Sequence, residues 1–115
     1  MESIAKERCV ACRSDSPRVS ESQVRELSPH IPAWEIIVTS EPHWLARRFE
    51  FGDFSSVLDF ANAIGEVAGS EGHHPKLTVQ WGMVEVEWWT YAIGGLHRND
   101  FVMAAKTDEI YARVK

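Results

Sequence analysis

Long apolar runs are missing from this chain of 115 residues, cysteine is nearly so, and basic residues are outnumbered by acidic ones. No apolar stretch approaches the roughly 20 residues that cross a bilayer, so no membrane span or membrane partner is expected. The N-terminus, Met-Glu-Ser-Ile-Ala-Lys-Glu-Arg, lacks the apolar centre of a secretory leader, and the expected compartment is the cytoplasm. Two cysteines, Cys9 and Cys12, are too few for a disulfide scaffold. Lys and Arg number 12 against 17 Asp and Glu, a net charge of −5. That balance argues against nucleic acid as a partner, because backbone binding rests on clustered cations.

What is present is ordinary for one folded domain: 44% apolar and 25% charged residues. A chain of this length buries roughly two-thirds of its unfolded surface without staples. Residues 1–19 show no sustained periodicity and are read as an N-terminal arm; residues 20–115 carry the domain. Ser20-Glu21-Ser22-Gln23 has the form of a capping box, and Val24 and Leu27 give the short helix behind it a small apolar face. Pro29 and Pro32 close that segment. Trp34 to Thr39 alternates as a strand, and a second strand places Leu45, Arg47, Phe49 and Phe51 on one face. Phe54 through Ala68 reads as the main helix, with Phe54, Val57, Leu58, Ala61, Ile64 and Ala68 as its stripe. Asp53 or Ser55 caps its start, and Gly69 or Gly72 ends it.

Leu77, Val79 and Trp81, then Val84, Val86 and Trp88, alternate as two half-buried strands folding back around Trp81 and Gly82. Asn99 or Asp100 opens a last helix containing Phe101, Val102, Ala105 and Ile110. The order helix, two strands, helix, two strands, helix predicts an α+β fold. Its expected form is a four-stranded antiparallel sheet with helices packed on one face.

Between the main helix and the third strand lies Gly72-His73-His74-Pro75. Imidazoles titrate near neutrality and exchange protons at physiological pH. The proline confines His74 to extended conformations, so the corner is suited to aiming side chains. The hairpin register brings Thr90 and Tyr91 back beside the two histidines. An aromatic pocket with titratable groups at its mouth suits a flat, polar heterocycle, which could stack on Trp81, Trp89 or Tyr91.

Gly72-His73-His74-Pro75, Trp81 after five intervening residues, and Asp100 within Gly-Gly-Leu-His-Arg-Asn-Asp-Phe together resemble the pterin-4a-carbinolamine dehydratase family, also called DCoH. The resemblance covers about residues 20–115 and extends to Trp81-Gly82-Met83-Val84-Glu85-Val86. It implies dehydration of a 4a-hydroxytetrahydropterin to the quinonoid dihydropterin, recycling the cofactor of aromatic amino-acid hydroxylases. It also implies a homo-oligomer, dimer or tetramer, and neither metal nor cofactor. His73 becomes the expected acid/base, with His74 beside it, and Asp100 orients a histidine or caps the last helix. Pro75, Trp81, Thr90 and Tyr91 join the two histidines as the expected pterin-binding set.

Two positions depart from the family pattern. Gly69 stands where an acidic residue is usual, with Glu71 nearby, and Tyr91 stands where a third histidine is usual. A phenol is a poor base at neutral pH, although it donates a hydrogen bond. Reduced activity is therefore expected, and the alternative is a dehydratase-like protein acting as an assembly or regulatory partner. Cys9-x-x-Cys12 supplies only half of a structural zinc site. Glu85 and Glu87 suit a solvated or subunit face, and Trp34, Trp44 and Trp88 suit core or interface.

Overall fold

The computed structural model describes residues 3–10 and 15–114, so Cys12 and Ser14 lie outside the described residues. The chain runs α1 (Glu21–Leu27), β1 (Glu35–Ile37), β2 (Trp44–Glu50), α2 (Phe54–Glu71), β3 (Lys76–Gln80), β4 (Met83–Trp88) and α3 (Arg98–Val114). The strands form one sheet in the order β1-β2-β4-β3, with every neighbouring pair antiparallel. This is the expected α+β sandwich. The capping box at α1 is formed: Ser20 Oγ accepts the Gln23 N–H, and the Gln23 side chain accepts the Ser20 N–H.

The sheet's inner face carries Leu45, Phe49, Val84, Val86 and Trp88, each at most 1% exposed. The alternation of β2 and β4 predicted that face, since successive side chains point to opposite sides. From α2 the buried residues are Val57, Phe60, Ile64 and Ala68. Phe54 and Leu58, expected in that stripe, are 44% and 42% exposed. The buried stripe runs through Val57, Phe60, Ile64 and Ala68, and the helical repeat leaves Phe54 and Leu58 to one side of it. Phe60, Phe49, Phe51 and Tyr111 pack as an aromatic cluster with ring centroids 4.8–5.7 Å apart.

The β3–β4 hairpin has the predicted register, Lys76 opposite Glu87 and Gln80 opposite Met83. Gly82 closes it with φ +76°, a left-handed conformation that glycine adopts without strain. The first strand is shorter than expected, Glu35–Ile37. The last helix begins one residue before the expected start, at Arg98. Part of the segment expected to be an arm is packed. Ile4 and Ala5 are 3% and 4% exposed within the core, and Lys106 Nζ donates to the Ala5 carbonyl at 2.6 Å.

Across the sheet, Arg47 Nη1 donates to Asp108 Oδ1 at 2.6 Å, and Trp34 Nε1 donates to the same oxygen at 2.8 Å. These contacts tie β2 and the start of β1 to α3. The Trp44 indole lacks such a partner. Its Nε1 is buried with no hydrogen bond among the described residues. An unmet buried donor costs on the order of 1–3 kcal/mol. Trp44→Phe removes that donor and keeps an aromatic ring, so the urea midpoint should hold or rise. A clear fall in midpoint would show that the indole N–H has a partner in solution.

Candidate functional site

The main helix stops at Gly72, whose φ of +66° turns the chain out of the helix while its N–H returns to the Ala68 carbonyl. The His73 N–H reaches the same carbonyl at 3.1 Å. This cap delivers the His73 ring inward. The ring lies parallel to the Trp88 indole, 5.7 Å between centroids and 8° between planes. Trp88 is itself fixed by its Nε1–H, which donates to Thr107 Oγ1 at 3.2 Å.

Asp100 lies behind His73 and is fully buried. Its Oδ1 is 2.6 Å from His73 Nε2. Its Oδ2 accepts the Thr90 hydroxyl at 2.8 Å and the His97 N–H at 2.9 Å. An ionised carboxylate only accepts hydrogen bonds, so His73 Nε2 carries the proton in this pair and Nδ1 is left for a ligand. Asp100 thus contacts the His73 ring and bonds the N-terminus of the last helix. The hairpin register brings Thr90 to the His73 corner through this shared carboxylate.

His97 precedes α3 and completes a capping box of unusual composition. Its Nδ1 accepts the Asn99 N–H at 3.0 Å while its own N–H goes to Asp100. Burial pushes the His97 imidazole below its usual pKa, against the pull of the Asp100 charge.

In front of His73 opens a cleft of about 610 Å³, lined by Cys9, Val10, Glu71, Gly72, His73, His74, Trp89, Thr90, Tyr91, Ala92 and Asn99. His74 and Tyr91 are exposed there, Tyr91 at 88%. Tyr91 begins a short 3-10 turn pinched at its base by the Thr90 N–H to Gly95 carbonyl bond of 2.8 Å. Of the expected set, His73, His74, Thr90 and Tyr91 meet at this cleft and Asp100 sits behind it. Pro75 stands at the head of β3 and is not in the lining. Trp81 is 70% exposed at the turn of the hairpin, separated from His73 by the whole of β3. Within one chain it does not reach the cleft.

Sequence reasoning missed Cys9, Val10, Ala92 and Asn99 as lining residues, and it assigned His97 no capping role. The proximity of Val10 has no local signal, because it arises from a contact spanning most of the chain. Among the described residues no group of three or more His, Cys, Asp or Glu side chains is placed to hold a metal ion.

The fold and the cleft define an α+β sandwich with a carboxylate-held histidine at one end of its sheet. The chain belongs to the pterin 4 alpha carbinolamine dehydratase family, whose model matches residues 17–110. A Gloeobacter violaceus protein named "Putative pterin-4-alpha-carbinolamine dehydratase 1" is 52% identical over 96% of both chains. A Nitrosococcus oceani protein of the same name, without the numeral, is 50% identical over 96% of this chain and 97% of its own. Among solved structures, a transcriptional coactivator/pterin dehydratase from Brucella melitensis superposes with a TM-score of 0.76 at 27% identity. It covers 83% of this chain and 99% of its own. A pterin dehydratase-like protein identified as a RuBisCO assembly factor in the alpha-carboxysome shares the fold, at TM-score 0.60 and 21% identity over 69% of this chain and 89% of its own.

Two measurements probe this site. Asp100→Asn offers an amide hydrogen where a donor already points, and should lose about 1–3 kcal/mol of stability in urea titration. Stability equal to wild type would show that the carboxylate is not the node described. Protonation of His97 removes the lone pair that caps Asn99. Its folded pKa lies below its unfolded value near ~6.5, so the unfolded state binds more protons just below that pH. Stability should therefore fall as pH drops below about 6.5, ahead of carboxylate titration. His97→Asn, which retains a capping oxygen, should flatten that step in urea midpoints taken between neutrality and mild acid. A step unchanged by the substitution would assign it to another group.

Proposed function

We propose that the protein dehydrates a 4a-hydroxytetrahydropterin to the quinonoid dihydropterin, recycling the cofactor of an aromatic amino-acid hydroxylase in the cytoplasm. The observation that carries this reading is His73 against buried Asp100 at the back of an open cleft, in a chain of this family. In the reaction the C4a–oxygen bond breaks, the hydroxyl leaves as water with an added proton, and a ring nitrogen gives up a proton. No electrons are gained or lost overall. Asp100 holds the Nε2–H of His73, so Nδ1 is the atom that gives or takes the proton at the substrate. His74, exposed in the same cleft, is the second imidazole. Tyr91 offers a phenol hydrogen bond in place of a third base, and Trp89 offers an aromatic surface to the flat ring.

We further infer a homo-oligomer. Phe54, Leu58, Val79 and Trp81 are 39–70% exposed, and exposed large apolar side chains suit a subunit contact. If Trp81 serves a pterin site, it does so from a neighbouring copy. The same exposed apolar side chains, with Tyr91 in the place of a histidine, favour a second reading: a catalytically weak dehydratase-like protein that binds an assembly or regulatory partner.

The carbinolamine is generated with a hydroxylase, and quinonoid product is followed with and without the protein. Wild type should accelerate its formation, and His73→Ala should lose about 10²–10⁴-fold, the usual contribution of a positioned acid/base. No acceleration by wild type, or an unchanged rate in His73→Ala, would overturn the enzyme reading. Tyr91→His should raise the rate. Gly69→Glu is a companion test, because a Cβ at Gly69 meets nothing within 4 Å and the fold should accept it. If neither substitution lifts an inactive wild type, and a co-purifying partner still binds His73→Ala, the second reading stands.

A further inference from the structure

We propose that Arg8–Val10 forms a fixed wall of the pterin cleft, and that Glu71 and Asn99 clamp it there and so set the affinity for the flat heterocyclic substrate. The inference rests on the pterin reading above. Cys9 and Val10 line the same cleft as His73 and His74, although they come from the opposite end of the chain. The segment containing them lies outside the sheet and the described helices. Ordering such a chain carries an entropic cost that specific contacts must offset.

Those contacts are present. Glu71 Oε1 accepts the Cys9 N–H at 2.7 Å, and Oε2 pairs with Arg8 Nε at 2.8 Å. The Glu71 side chain is only 6% exposed. The Cys9 N–H, helped by Arg8 and opposed by burial, holds its carboxyl below the usual range. Asn99 grips the next residue twice, with Oδ1 accepting the Val10 N–H at 3.1 Å and Nδ2 donating to the Val10 carbonyl at 2.7 Å.

The placement of the two clamps gives the wall its function. Glu71 is the last residue of α2, just before the Gly72 cap that aims His73. Asn99 adjoins Asp100, the carboxylate that holds His73. Each clamp is therefore built beside one member of the His73–Asp100 pair, and the wall is registered to the reacting imidazole. Val10 is 62% exposed even though its backbone is held on both sides. An apolar side chain fixed at the lip of a cleft is a surface for the face of a planar ring.

Further anchors sit upstream of the clamp. Ile4 and Ala5 are in the core, and Glu7 pairs with Arg98 at 2.7 Å. Releasing the clamp should thus loosen the wall without unfolding the protein. The test combines turnover with binding of a dihydropterin that cannot be dehydrated, followed by tryptophan fluorescence. Glu71→Ala should raise both Kd and KM about tenfold with kcat within about twofold, the pattern of lost uniform binding. Glu71→Gln, whose amide oxygen still accepts the Cys9 N–H, should stay within about threefold of wild type. Val10→Gly, which leaves both clamps intact, should also weaken dihydropterin binding, and it decides the matter if Glu71→Ala fails to fold.

Unchanged Kd in Glu71→Ala and Val10→Gly, equal effects of Ala and Gln, or a loss confined to kcat would each overturn the proposal. Dihydropterin binding that depends on Glu71 without any turnover would sink the dehydratase reading and leave the wall. Turnover with a Kd indifferent to Glu71 would do the reverse. Absence of dihydropterin binding to wild type would remove both.

Discussion

A carboxylate without access to water has to be surrounded by donors, because an uncompensated charge in a protein interior costs several kcal/mol. Asp100 meets that demand with three groups from three parts of the chain: the His73 ring, the Thr90 hydroxyl and the His97 N–H. The end of α2, the end of β4 and the start of α3 are thereby held at one point. The imidazole is the only one of the three donors that also faces the cleft with a free nitrogen. Structural satisfaction of the carboxylate and presentation of the imidazole are the same set of bonds.

Nothing in that arrangement works unless the elements end in the right places. Gly72 takes the left-handed conformation that stops α2, so His73 turns inward immediately after the helix. On the other side, the β3–β4 register determines where β4 runs out and Thr90 emerges. Trp88, last residue of β4, supplies the flat surface on which the His73 ring rests, and Thr107 on α3 fixes that surface. Packing, rather than any single bond, sets the plane of the ring. The carboxylate then sets which nitrogen bears the proton.

Much of this was legible in the sequence because it follows from local rules. Alternation in Leu77–Val79 and Val84–Trp88 with a glycine between them gave the hairpin register, and the register brought Thr90 to the histidine corner. Ser20 and Gln23 gave the first helix start. Tertiary packing decided what local rules could not. Phe54 and Leu58 recur at helical steps with the core residues, and only the position of the sheet reveals that Phe60 belongs to the buried face and they do not. Trp81 carries the family spacing, yet spacing along a strand says how far a residue has travelled, and here it has travelled away from His73. The capping role of His97 has no sequence signal because imidazole is an uncommon cap. The packed N-terminal segment escaped notice because its partners, Glu71 and Asn99, lie far off in the chain.

The clamp also bears on Gly69, where the resemblance led an acidic residue to be expected. Glu71 is the nearest carboxylate in sequence and lines the cleft, which makes it an obvious substitute for an acid at position 69. Its bonding argues otherwise: one oxygen is taken by the Cys9 N–H and the other by the Arg8 guanidinium, and both contacts favour the ionised form. A carboxylate committed in this way is a poor proton donor and has little freedom to turn toward a substrate. Gly69 faces open space, where a Cβ would meet nothing within 4 Å. On the proposed dehydratase reading, proton transfer falls to the His73–His74 corner, where His73 is the member held by a buried carboxylate.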